Sequence, residues 1–186
     1  KNMGIIQKIY QRSSINQLLF ACGLFALIIL SFSDAVTTFK LKGTYLDAYH
    51  VVILLGIAKL VDMGTGVNAQ IIATSTWWRF EMISGVTLLL VMMPLSYILT
   101  KQMDIVGAGL AHLISIVVYN SVRILFLWRK FGLHPFRIQS LYTLLLAGAS
   151  WAACHFAFME IHGWAGMFLR SIAFITLYGF GAIYLK

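Results

Sequence analysis

Residues 105–128 read IVGAGLAHLISIVVYNSVRILFLW, and this stretch decides the fold. At about 1.5 Å of rise per residue, a helix over it is about 36 Å long. That is enough to cross the roughly 30 Å hydrocarbon layer of a bilayer. Its one formal charge is Arg123. Its polar residues are ordered: His112, Ser115, Tyr119 and Arg123 fall at i, i+3, i+7 and i+11, a stripe on one helix face. Asn120 lies beside the stripe, and Gly107 with Ala111 forms a small-residue face suited to helix packing.

Working outward, five more apolar runs have spanning length, over 16–38, 47–72, 80–100, 138–159 and 164–185. The 186 residues are 60% hydrophobic and 11% charged, where a soluble domain carries about 25% charged residues. No soluble core of this size hides so much apolar surface, so the solvent is lipid. The fold class expected is all-α, a polytopic transmembrane helical bundle of about six spans, with 16–186 as the membrane domain. Residues 1–15 differ. Ile5, Ile6, Ile9 and Tyr10 recur at helical spacing between Gln7, Lys8, Gln11 and Arg12, which predicts an N-terminal interfacial amphipathic helix on the cytoplasmic side. Ser14 followed by Gln17 reads as a capping box opening the first span. Lys1 is not an initiator Met, and the expectation is that the chain starts partway through a longer protein.

The formal charge is +8, from 14 Lys and Arg against 6 Asp and Glu. The cations stand singly or in pairs between apolar runs, which is membrane topology and no nucleic-acid patch. Lys1, Lys8, Arg12, Arg79, Arg129, Lys130, Arg137 and Lys186 fall on one side, and Lys40, Lys42 and Lys101 on the other. The side richer in cations is cytoplasmic, which puts both ends of the segment there in a multi-pass arrangement. Cys22 and Cys154 lie inside apolar runs and read as packing residues. The five His form no metal spacing, and no HExxH, CxxC, GxSxG or phosphate loop is present. The expectation is therefore no catalytic residue, no metal and no cofactor. His155, Glu160 and His162 form the one cluster that invites an enzyme reading, a weak signal because a short external loop rich in polar residues is ordinary.

Three cations remain inside the spans: Lys59, Arg123 and Arg170. Charge in hydrocarbon is costly and commonly marks a bundle interior or a wet cavity. Lys59 and Asp62 share a face of the run VVILLGIAKLVDMGTGVNAQII, residues 51–72. Either they are a neutralised packing pair, or they line a cavity. The glycines of DMGTG either admit a close neighbour or loosen the helix. Asn68, on a different face, is placed to bond across helices. Arg123 either snorkels or lines a cavity, and Arg170 either snorkels or faces a groove for anionic lipid. For His112 the expected fate is an interhelical hydrogen bond.

LLGIAKLVDMGTGVNAQIIATSTWWRFEM, residues 54–82, and MPLSYILTKQMDIVGAGLAHLISIVVYN, residues 93–120, resemble the C-terminal half of bacterial polysaccharide-biosynthesis flippases. These belong to the multidrug/oligosaccharidyl-lipid/polysaccharide exporter superfamily. The features that carry the resemblance are Lys59–Ile72, the aromatic-basic turn Trp77–Phe80, and Ile105–Ser115; QKIYQRSSIN, residues 7–16, is similar to that family's helix before a C-lobe span. The resemblance implies part of a C-lobe plus two extra C-terminal helices, with an N-terminal lobe of the same protein as partner. It implies flipping of a polyprenyl-diphosphate-linked oligosaccharide across the bacterial inner membrane by alternating access, for O-antigen or related surface polysaccharide. Lys59, Asp62, His112, Ser115, Tyr119 and Arg123 are then the substrate-cavity candidates. The runner-up is a drug or cation antiporter of the same superfamily, and behind it a membrane-embedded glycan-modifying enzyme.

Overall fold

The computed structural model of the chain describes residues 3–40, 45, 48–161 and 163–185. Lys1, Lys42 and Lys186 of the charge count, and His162 of the polar cluster, lie outside the described residues. Among the described residues the chain is all-helical. Its elements are α1 (Met3–Thr38), α2 (Tyr49–Gly64), α3 (Asn68–Ala73), α4 (Trp78–Phe131), α5 (Ile138–Ala157) and α6 (Gly163–Leu185). Three of them, α1, α4 and α6, are long and apolar enough to cross a membrane, the mark of a membrane protein.

Helix α4 has 54 residues and would run about 81 Å if straight. It breaks at Met103 and Asp104, where Asp104 adopts φ 51 and ψ −137. The arms 78–102 and 105–131 then return along each other, as contacts between residues of the two arms show. Phe80 stacks on Phe126 at 3.9 Å between centroids, and Arg123 pairs with Glu81. Gly107 sits so close to the Leu99 carbonyl that a Cβ there has no room.

The chain divides into two compact units, residues 1–18 with 50–137 and residues 19–49 with 138–186. In the first, Tyr10, Ile72, Leu127 and Leu133 make a buried core, flanked by Phe80, Phe126 and Phe131. The 51–72 run is not one helix. It breaks between α2 and α3, with Gly66 at φ 67. A Cβ on Gly66 would stand 3.0 Å from the backbone of Ser14. The glycines thus serve both readings of the sequence, a break in the helix and a close neighbour. Ser14 does not open a helix. Helix α1 is continuous from Met3, and the Ser14 hydroxyl donates to the Gly64 carbonyl freed at the end of α2. The expected capping box is therefore a tertiary clasp, and residue 15 is not a helix boundary. Gln7 ties the same stretch down by exchanging two hydrogen bonds with the His134 backbone, at 2.9 and 3.2 Å.

In the second unit, the latter part of α1 packs with α5 and α6. Tyr178 of α6 lies against Gly23 of α1 and donates to the Leu19 carbonyl at 2.7 Å. Ser31 and Ser171 bond at 3.3 Å. Arg170 is buried, against both expectations for it. Its guanidinium meets Asp34 at 2.6 Å. It also donates to the carbonyls of Phe158, at 2.7 and 3.2 Å, and of Ile161, at 2.9 Å. A carboxylate plus the orphan carbonyls at the end of α5 satisfy the charge inside the unit, so it neither snorkels nor waits for a lipid.

Candidate functional site

The polar residues singled out in the sequence converge in the first unit, where α2 ends and the second arm of α4 passes. Lys59 and Asp62 form an ion pair at 3.2 Å, with side chains 65% and 39% exposed. The helix breaks three residues beyond Asp62, and that break turns Thr65 and Asn68 toward Asn120. The Asn120 carbonyl oxygen accepts from the Thr65 hydroxyl at 3.0 Å and from the Asn68 amide at 3.2 Å. Its amide donates to Asp62 at 3.4 Å and to the Ile116 carbonyl at 3.1 Å. Asn120 is 1% exposed, so all four bonds matter: an unmet buried amide group costs about 1–3 kcal/mol. The interhelical bond expected of Asn68 is thus made.

One turn along the same arm, Arg123 is 5% exposed. It does not snorkel. Its guanidinium makes a two-point contact with the Glu81 carboxylate and lies 4.3 Å from the centre of the Tyr119 ring. The Tyr119 hydroxyl donates to the same carboxylate at 3.4 Å. A fork-to-carboxylate pair over an aromatic face suits Arg and not Lys. Its charge is spent within the hairpin, leaving Lys59 as the cation of the cluster that meets open space.

Ser115 and Tyr119 line a cavity of about 140 Å³ between the arms of α4, with Ser84, Thr87 and Val118. The Ser115 hydroxyl is buried there and has no partner among the described residues. His112 is half-buried, and no hydrogen bond to it is seen among the described residues. Of the six residues singled out, Lys59 and Asp62 join the Asn120 group, Tyr119 and Arg123 share Glu81, Ser115 faces the cavity with Tyr119, and His112 makes no bond in either group.

Glu81, Asn120 and Thr65 were not on the sequence's list of site residues. The signal for Glu81 was arithmetic: three cations lie inside spans, and three acids, Asp34, Asp62 and Glu81, answer them one for one. Among the described residues no group of His, Cys, Asp and Glu gathers to hold a metal ion. No family model, no curated protein and no solved structure matches the chain.

Proposed function

We propose that the chain is part of a transporter that flips a polyprenyl-diphosphate-linked oligosaccharide across the bacterial inner membrane, for surface polysaccharide synthesis. The observation that carries this reading is the exposed Lys59, held by Asp62 at 3.2 Å beside a break in its helix. The diphosphate of such a substrate cannot cross hydrocarbon unaided. A cation on the wall of a wet cavity offers it a partner, and Asn120, Thr65 and Asn68 behind it fix the position of that cation. Unwound backbone beside a polar cluster is the arrangement by which transporters admit irregular chain at membrane depth. Six crossings, with α4 folded into two, and a cytoplasmic location of both ends complete the reading. Alternating access then rocks this lobe against an N-terminal one. The resemblance in residues 54–120 supports the same substrate class.

The antiporter reading gains from one observation. Glu81 lies beside the Tyr119 ring, and an acid with an aromatic is what an organic cation requires. Here that cation would have to displace Arg123 from the carboxylate. The two readings separate in vesicles. The full-length protein carrying this chain, reconstituted with a fluorescent diphosphate-linked glycan, is expected to expose the inner-leaflet label to an external quencher. Unchanged labelling in that assay, together with uptake of an organic cation, rejects the flippase and favours the antiporter.

A further inference from the structure

We infer that the first unit binds an anionic phospholipid at the turn that opens α4, with Arg79 and Lys130 as partners of its phosphate. Three stretches of chain meet at that end of the unit. Helix α4 starts at Trp78 and stops at Phe131, and the Phe80–Phe126 stack puts start and stop side by side. Gln7 brings residues 7–12 to the same end through its two bonds with His134, and Tyr10 packs with Ile72, Leu127 and Leu133 in one core. The three stretches carry Lys8, Arg12, Arg79, Arg129, Lys130 and Arg137, all exposed. None of these makes an ion pair among the described residues. Lys130 Nζ lies 4.4 Å from the centre of the Trp77 ring, and the Arg79 guanidinium 5.6 Å from that of Trp78. Successive indoles thus hold two cations, one from each arm, at a single turn.

Charge, indoles and an apolar flank together select the ligand. The acids of this unit are Asp62, Glu81 and Asp104. Asp62 faces Lys59 and Glu81 faces Arg123, while Asp104 stands at the far turn of the hairpin. The clustered cations repel one another without a counter-charge, and a net-anionic headgroup supplies it. A zwitterionic head brings a further cation that no carboxylate here is free to receive. Trp77, Trp78 and Trp128 are exposed, and indoles favour the headgroup layer of a bilayer. Ile83, Val86 and Leu90 are exposed as well. They fall at i+4, i+7 and i+11 from Arg79, so an apolar stripe for acyl chains leads away from the cation on its own helix face. A free anion would use the cations and leave the indoles and the stripe idle. The site requires only that α4 lies in a bilayer, and it does not rest on the transport reading.

The test is native mass spectrometry of the full-length protein in detergent, titrated with dioleoyl phosphatidylglycerol or dioleoyl phosphatidylcholine. Phosphatidylglycerol is expected to bind at least tenfold more tightly, and to weaken as salt is raised. Arg79→Gln with Lys130→Gln is expected to lower that affinity tenfold or more. Both side chains are exposed, where substitutions cost the fold little. Lys130→Gln alone is expected to lose at least threefold, and it decides the matter if the double variant does not fold. Lys101 also lies over an aromatic ring, that of Tyr97 at 4.5 Å, but at the other end of the hairpin. Lys101→Gln is expected to leave the affinity unchanged. Equal binding of the two lipids overturns the proposal. So does affinity undiminished in a folded Lys130 variant, or an equal loss in Lys101→Gln, which would make the attraction one of total charge. Displacement of bound phosphatidylglycerol by inorganic phosphate makes the turn a free-anion site and overturns it as well.

Discussion

Arg123 and Glu81 are 42 residues apart in sequence and in two-point contact in space, because α4 folds back on itself at Asp104. The pair fixes the register of the hairpin and cancels a buried charge within it. Glu81→Ala leaves Arg123 buried and unpaired, which costs about 3–5 kcal/mol. Glu81→Leu with Arg123→Met removes both charges and is expected to recover most of the folded protein, read as thermal melting in nanodiscs. A double variant no more stable than Glu81→Ala contradicts the pairing account.

Lys59 and Asp62 are expected to behave differently. A buried packing pair, one of the two readings the sequence leaves open, would strand a carboxylate on removal of Lys59. The structure leaves Asp62 39% exposed and bonded to Asn120 at 3.4 Å. Lys59→Ala is therefore expected to change stability by less than about 1 kcal/mol, with abundance in the membrane near normal. Asn120→Leu, which removes the partner shared by Thr65, Asn68 and Asp62 and leaves the buried Asn68 amide without its acceptor, is expected to be far more harmful in the same abundance measurement. Equal abundance of the two variants would mean that Asn120 is not the hub.

Much of the fold was legible because hydropathy and period are local. The runs at 80–100, 104–128, 138–159 and 164–185 lie within a few residues of the helical segments observed, and the turn between the first two falls at Asp104. What was not legible depends on partners remote in sequence. Ser14 followed by Gln17 has the form of a capping box, yet the hydroxyl goes to Gly64, 50 residues on. Arg123 near a span end has the form of a snorkelling residue, yet Glu81 is within its reach. Arg170 shows the same failure, with Asp34 136 residues away. The polar stripe on the second arm of α4 was visible from spacing alone. That Tyr119 and Arg123 share a carboxylate was not.

Glycine substitutions separate backbone need from composition. Gly66→Ala meets both a positive φ and the Ser14 backbone at 3.0 Å. It is expected to destabilise by more than about 1 kcal/mol. Gly148→Ala and Gly179→Ala, inside α5 and α6 with open space around them, are expected to be neutral or stabilising by about 0.5–1 kcal/mol. Melting temperatures of the three variants check the ordering. Gly66→Ala melting with the wild type would show that the α2–α3 break does not depend on it.

Asp104 sits at φ 51 and ψ −137, where a residue with a Cβ is strained by about 1–3 kcal/mol. Asp104→Gly is expected to raise the melting temperature, and Asp104→Val to lower it. The opposite order would place the turn elsewhere.

The proposed topology rests on the split of the cations. In a variant with Cys22 and Cys154 replaced by Ala, single cysteines at Lys40 and Lys101 are expected to react with an impermeant maleimide applied to intact cells. One at Arg129 is expected to react only after permeabilisation. External labelling at Arg129 would reverse the orientation.

The transport reading stands or falls on Lys59. The most direct measurement is the initial rate of fluorescent diphosphate-linked glycan flipping in vesicles, at matched amounts of full-length protein. Lys59→Arg keeps the charge and is expected to retain a substantial part of the rate, whereas Lys59→Ala is expected to lose at least about tenfold, a cation–diphosphate contact of roughly 1.4 kcal/mol. A wild-type rate in Lys59→Ala would contradict the account, because the exposed cation would then have no part in moving the substrate.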